Sequence, residues 1–207
     1  GITISGCGGQ DLGTLLISLP ASSKTGISVG MMSAIFTSTS AVCVTGLSVL
    51  DVGRELSFFG QAVLLGLIQV GGLGIITLSV FVAVLLGARM GLQQTWAFAE
   101  LSDQVSPSSM RRLVKEIIVA TMVAELLGAL ALTLARMETV ESVGEAFWFG
   151  LFHSISAFCN AGFSLQADSL ILFRDDPSIL VPIAILVVLG GLGFVPLSVV
   201  ASKLLRR

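Results

Sequence analysis
The chain has 207 residues, of which 54% are hydrophobic and only 12% charged, with a mean hydropathy of +0.98. A soluble domain carries about 25% charged residues, so this composition belongs in a membrane. A net charge of −2 offers no bulk field for a nucleic-acid partner.

In chain order, residues 1–20, "GITISGCGGQDLGTLLISLP", read as a weakly apolar helix holding Gln10 and Asp11. No basic stretch precedes a clean apolar run and a small-residue cleavage site, so the expectation is a helix without its natural beginning and not a signal peptide. Residues 27–50 are apolar but end in "SAVCVTGLS" (40–48), which suits neither a long helix nor a strand. A short helix from about Gly30 to Ser40, then an extended stretch to Gly46, is predicted. Residues 56–88 are predicted to cross the bilayer, being longer than the roughly 20 residues required. A solvated cytoplasmic linker, "LSDQVSPSSMRRLVKE", follows at 101–116. A second apolar helix is predicted at 113–135, a second short region at 144–166 ending in "SAFCNAGFS" (156–164), and a last span at 177–202.

These segments form two copies of one pattern. Ser40, Ala41, Cys43, Gly46 and Ser48 match Ser156, Ala157, Cys159, Gly162 and Ser164 at an offset of 116 residues, and Phe36 and Ser38 extend the match to Phe152 and Ser154. Gly71, Gly72, Leu73 and Gly74 match Gly190, Gly191, Leu192 and Gly193 at 119, with Leu78–Val80 against Leu197–Val199, and Leu12 and Gly13 match Leu127 and Gly128 at 115. Offsets that drift so little across three blocks predict two tandem units, 1–105 and 106–207.

Charge decides whether the middle segments cross or return. If they re-enter, Arg89, Arg111, Arg112, Lys115, Lys203, Arg206 and Arg207 share one face. Lys24, Arg54, Arg136 and Arg174 then lie opposite, with acids that include Asp51 and Glu145. The positive-inside rule makes the first face cytoplasmic, with the acids drawing cations to the outer face. The predicted fold class is therefore an all-α integral membrane protein of two tandem helix, re-entrant pore-loop, helix repeats.

Non-helical backbone at membrane depth must face protein or a polar path. Val42, Cys43, Val44, Thr45 and Gly46, with Phe158, Cys159, Asn160, Ala161 and Gly162, are the candidate ion-binding residues. Gly46 and Gly162 would supply the positive φ that turns carbonyls toward one axis, where they replace the water shell of a monovalent cation. The Asn160 amide either braces its loop or faces the ion. Cys7, Cys43 and Cys159 read as small buried residues without a disulfide framework or metal ligation. His153 reads as a structural hydrogen-bonding group, and Glu125, mid-span and aligned with Gln10, as a polar brace. The "GGLG" blocks lack the spacing of a phosphate loop and read as close-packing glycines. No nucleophile–base constellation or catalytic carboxylate pair is evident, so the chain is not read as an enzyme.

"FTSTSAVCVTGLSVLD", "LLGLIQVGGLGIIT", "FHSISAFCNAGFSL" and "LVVLGGLGFVPLS" resemble the first two of the four repeats of the Trk/Ktr/HKT superfamily of potassium and sodium transporters, in particular the bacterial Ktr and Trk membrane subunits. The resemblance covers nearly the whole chain from about Leu12. It implies a multi-pass protein of the plasma membrane, here a bacterial inner membrane, with one filter glycine per repeat, at Gly46 and Gly162. Serine at the first of these positions is associated with sodium preference in plant relatives, so glycine implies potassium as the transported ion, with no covalently bound cofactor. Two repeats stand where the family has four, and neither the third repeat's gating loop nor the fourth repeat's basic gating residue has a counterpart. The remaining repeats of a longer chain, or a second copy in a homodimer, would complete the ring. The resemblance also implies a cytosolic nucleotide-binding ring docking near 101–116. The rival readings are a non-conducting fragment or subunit of the same fold, and a sodium-permeable or sodium-coupled relative.

Overall fold
The computed structural model describes residues 2–85 and 107–192, with side chains described at 10–74 and 114–192. The regular secondary structure of the described residues is helical, apart from one isolated antiparallel bridge between Ser23 and Leu56. The helices are α1 (Ile2–Ser18), α2 (Met31–Val42), α3 (Val52–Glu55), α4 (Phe58–Leu85), α5 (Pro107–Met137), α6 (Val143–Phe158) and α7 (Pro177–Leu192), with short 3-10 turns at Pro20–Ser22 and Ile171–Phe173. The second long helix starts six residues earlier than its apolar pattern predicts, because Pro107 suits a first helical position and the polar residues after it extend the apolar run.

Local chemistry sets several of these boundaries. Asp51 begins α3 by accepting from the Arg54 N–H at 2.9 Å, while Glu55 accepts from the Asp51 N–H at 2.8 Å. At the start of α7, Asp176 accepts from the Ser178 N–H at 3.0 Å, and Pro177 fills the first helical position. Gly30 opens α2 at φ +87, where a side chain would be strained.

The helices pack as α1, α2 and α4 in the first half and α5, α6 and α7 in the second, with α4 meeting α5 and α6 between the halves. Val114–Met137 of α5 is long and apolar enough to cross a bilayer, the one such stretch among the residues whose side chains are described. The expected span from Leu56 is helical from Phe58 to Leu85, 28 residues, or about 42 Å. The span expected from Pro177 is described only as far as Leu192. The main cluster of buried residues joins the halves, with Ile17, Ala41, Leu64 and Ile68 beside Phe152, Cys159 and Phe163.

Matched positions make matched contacts. A Cβ on Gly13 would lie 2.6 Å from a Leu67 methyl, and one on Gly128 would lie 2.6 Å from a Leu186 methyl. A Cβ on Gly71 would overlap the Val42 carbonyl, and one on Gly190 would overlap the Phe158 carbonyl. These contacts pair residues at the sequence offsets of 115, 116 and 119, so each glycine marks a close approach between two helices, against a leucine side chain at Gly13 and Gly128 and against a carbonyl at Gly71 and Gly190. The matches at Leu197–Val199, and Arg89, Lys203, Arg206 and Arg207 of the charge argument, lie outside the described residues, as do the side chains of Leu78–Val80, Arg111 and Arg112.

Because the obstruction at Gly190 is backbone, Gly190→Ala is expected to lower stability by about 1–3 kcal/mol, the range for overpacking. Gly66 has open space around its Cα, so Gly66→Ala is expected to leave stability unchanged or raise it slightly. Thermal unfolding of the two variants in detergent, followed by size-exclusion chromatography, checks the contrast.

Candidate functional site
The 12 residues of α2 and the 16 of α6 give helices of about 18 and 24 Å, short of the roughly 30 Å hydrocarbon thickness. Both stop in the same way. The Cys43 N–H donates to the Thr39 carbonyl at 2.9 Å, that of Val44 to Ala41 at 3.2 Å, and that of Thr45 to Ser40 at 2.9 Å. In the second half Cys159 donates to Ile155 at 2.9 Å, Asn160 to Ala157 at 3.0 Å and Ala161 to Ser156 at 2.7 Å. This is a Schellman turn, which closes off carbonyls that the helix end leaves free.

The turn requires a left-handed residue, usually glycine. Here Val44 takes it at φ +54 and Asn160 at φ +57. For a β-branched valine the conformation is strained by about 1–2 kcal/mol, whereas asparagine adopts it more readily. Gly46 and Gly162 then take φ of +80 and +72, the region anticipated for them. The hydroxyls of Ser40 and Ser156 reach across each turn: Ser40 accepts from the Leu47 N–H at 2.9 Å, and Ser156 donates to the Phe163 carbonyl at 2.7 Å.

The two loops touch at their glycines. A Cβ on Gly46 would stand 2.7 Å from the Ala161 carbonyl oxygen and 3.3 Å from the Gly162 Cα. Their surroundings differ. In the first loop Cys43 and Thr45 are exposed, with Val42, Val44 and Gly46 half-buried; in the second Phe158, Cys159 and Ala161 are buried while Asn160 and Gly162 are exposed. The reading of Cys43 as buried is therefore wrong: it caps the end of α2, and its side chain is exposed. Cys159 is buried, and its Sγ occupies the space a Cβ on Gly72 would take. The Cys7 side chain lies outside the described residues.

Polar side chains tie both short helices to the outer helices. In the first half Gln10 donates to Thr39 Oγ1 at 2.6 Å, and Thr14 and Ser38 share a hydrogen bond of 2.7 Å. In the second half Ala129 stands at the Thr14 position, so Ser154, matching Ser38, donates instead to the backbone carbonyl of Glu125 at 2.6 Å. The buried Glu125 carboxylate accepts from Cys159 Sγ at 3.7 Å, and Gln69 of α4 faces the same carboxylate without closing a bond of ordinary geometry. Glu125 is thus a brace between α5 and the second loop, as its alignment with Gln10 suggests.

His153 is buried in α6. Its Nδ1 meets the Phe149 carbonyl at 2.9 Å and can only donate there, while Nε2 accepts from the Leu165 N–H at 3.4 Å and lies 3.1 Å from Ser164 Oγ. Those partners suit one neutral tautomer and fasten the segment after Gly162 to its own short helix. The sequence reading overlooked Gln61. It accepts from Trp148 Nε1 at 2.7 Å and donates to the carbonyls of Val52 and Leu56 at 3.3 and 3.1 Å, joining the halves. An uncharged polar residue near the head of an apolar run was the available signal.

Residues 12–204 match the TrkH family, described as cation transport protein. The chain belongs to the TrkH family. It is similar to the Ktr system potassium uptake protein B of Bacillus subtilis (38% identical over 183 residues, 88% of this chain and 40% of that protein) and to that of Vibrio alginolyticus (41% over 182 residues, 87% and 39%). It is also similar to the potassium/sodium uptake protein NtpJ of Enterococcus hirae (32% over 183 residues, 88% and 40%). The chain therefore spans about two fifths of the length of these relatives. As a TrkH member it is an all-helical, multi-pass protein of the plasma membrane.

Removing the Glu125 carboxylate strands the groups around it. Glu125→Leu is expected to cost about 1–3 kcal/mol and Glu125→Gln, which keeps an acceptor for Cys159, distinctly less, read as unfolding temperatures in detergent. With Cys7 replaced by serine, a small methanethiosulfonate reagent is expected to modify Cys43 quickly and Cys159 hardly at all. Equal labelling of the two thiols would contradict the burial difference.

Proposed function
We propose that this chain forms part of the conduction path of a potassium transporter, with 42–46 and 158–162 as two strands of its filter. The observation that carries the reading is the repeated backbone geometry. Two helices too short to cross the bilayer end in the same hydrogen-bonded turn, each followed two residues later by a left-handed glycine, and the two glycines lie against each other. Such a backbone can present carbonyl oxygens to a desolvated cation at membrane depth, which replaces hydration without covalent chemistry. The TrkH family and the potassium uptake activity named for its relatives support the same cargo.

In this proposal residues 1–105 and 106–207 are two helix, pore-loop, helix units whose short segments re-enter on one side. The rest of the ring comes from further repeats of a longer chain or from a second copy, and the cytoplasmic face near 101–116 receives a regulatory nucleotide-binding subunit. The name of one relative, a potassium/sodium uptake protein, favours a second reading in which sodium also passes.

Potassium uptake in a strain lacking its own transporters tests the proposal. The complete reading frame carrying these residues is expected to restore growth at low potassium, and competition among potassium, rubidium and sodium gives the selectivity. No uptake from that frame would refute it. Gly46→Ser places a side chain against the Ala161 carbonyl at a positive φ. It is expected to reduce potassium-over-sodium selectivity about tenfold or more, corresponding to about 1.4 kcal/mol of differential binding. Unchanged selectivity in an active Gly46→Ser protein would remove Gly46 from the filter.

A further inference from the structure
Asn160 and Val44 occupy the same left-handed position of the two turns, but only Asn160 has a side chain that can hydrogen-bond. It lies against the last described turn of α7. With the amide oriented so that each end meets its complement, its oxygen accepts from the Gly191 N–H at 3.1 Å and its nitrogen donates to the Val187 carbonyl at 3.3 Å; the opposite orientation would set nitrogen against the Gly191 donor and oxygen against the Val187 acceptor, leaving the nitrogen one contact of 3.4 Å with the Phe158 carbonyl. Gly191 and Val187 are four residues apart, the donor and acceptor that close one turn of an α-helix. The amide therefore bridges a pair of groups that belongs to the ladder of α7.

The neighbourhood is built for that contact. Gly190, inside the bridged turn, has its Cα pressed on the Phe158 carbonyl, and a Cβ there would also come within 3.0 Å of the Asn160 side-chain amide. Pro182, earlier in α7, lacks the N–H that its own ladder bond would need. The corresponding turn of the first half, Ile68–Gly72, receives no such amide, because Val44 stands at the matching position and Cys159 Sγ rests on Gly72 instead. Asparagine thus meets two needs at residue 160: it adopts φ +57, and its amide engages both members of the helical pair.

We infer that Asn160 is a positioning residue that clips the second filter strand to the Val187–Gly191 turn of α7, so that the strand's discrimination among monovalent cations depends on that turn. The inference rests on the reading of 158–162 as filter. It places the amide beside the helix and not toward the ion, and it makes the second strand respond to any movement of α7 while the first does not.

The test uses Asn160→Gly, which accepts the left-handed backbone without the amide, and Asn160→Asp, which keeps the acceptor for Gly191 but loses the donor to Val187. Both are made in the complete polypeptide carrying these residues, purified in detergent and checked for a monodisperse profile. Hydrogen–deuterium exchange over 185–192 is expected to accelerate about tenfold in Asn160→Gly, as for loss of one hydrogen bond, and less in Asn160→Asp. Exchange over 64–72 should stay at its original rate. In vesicles the rubidium-to-sodium uptake ratio of Asn160→Gly is expected to fall several-fold, and Asn160→Asp is expected to fall between it and the parent. Unchanged exchange over 185–192 overturns the clip whatever transport does. Accelerated exchange with an unchanged ion ratio overturns the positioning role. Failure of the filter reading appears separately, as an unchanged ratio in Gly162→Ser.

Discussion
A helix that stops among apolar surroundings must dispose of its last carbonyls, and most of this structure follows from how α2 and α6 do so. Part of the answer is internal, in the Schellman turns that return the N–H groups of Thr45 and Ala161 to Ser40 and Ser156. The other part is steric: the carbonyls of Val42 and Phe158 lie on Gly71 and Gly190, where a methyl group would not fit. One helical turn earlier on the same two helices, α4 and α7, Leu67 and Leu186 lie on Gly13 and Gly128. Residues four apart share a helix face, so a single face of α4, and likewise of α7, holds the end of a short helix and the flank of an outer helix. Register among the three helices of each half is fixed by glycine on both sides of that face.

That constraint also explains why strained backbone is tolerated. Val44 sits in a conformation that disfavours β-branched residues, and strain of this kind persists where surrounding structure determines the backbone more strongly than the residue does. Three hydrogen bonds of the turn, the Ser40 tether to Leu47 and the contact of Val42 with Gly71 supply that determination. The segment after Gly162 is held in addition from behind by His153 through Leu165. The resulting loops are backbone surfaces set mainly by their supports.

The supports were more legible in the sequence than the loops were. A short helix ending near Ser40, two residues before its actual end, left-handed Gly46 and Gly162, the close packing of Gly71, Gly72 and Gly190 within the "GGLG" blocks and the bracing role of Glu125 could be read from repetition, because a contact made twice leaves the same small residue at two matched places. The left-handed residue two positions before each glycine could not. Valine there carries a β-forming signature, and the conformation is imposed by the helix end. Exposure of Cys43 was hidden for a related reason: matched cysteines imply matched burial only if the two halves have the same neighbours, and Cys159 has Glu125 and Gly72 where Cys43 has neither. The Trp148–Gln61 bond joins residues 87 positions apart between the halves, and no periodicity within either half could signal it.

Comparison of the two halves separates what the architecture requires from what it permits. The hydrogen bonds that end the short helices recur one for one, whereas the side chains behind them do not. Gln10, Thr14, Thr39 and Ser38 work through amide and hydroxyl groups in the first half, and a carboxylate, a thiol and a backbone carbonyl take over in the second. Even the two serine tethers reverse roles, one accepting from an N–H and the other donating to a carbonyl. Interchangeable side chains around an unchanged main chain are what results when the working element is the backbone itself, since a hydroxyl, an amide or a carboxylate can each hold a peptide group in place. The invariant features are then the helix end, the left-handed residue and the glycine, the three that set where the peptide oxygens of residues 42–46 and 158–162 stand.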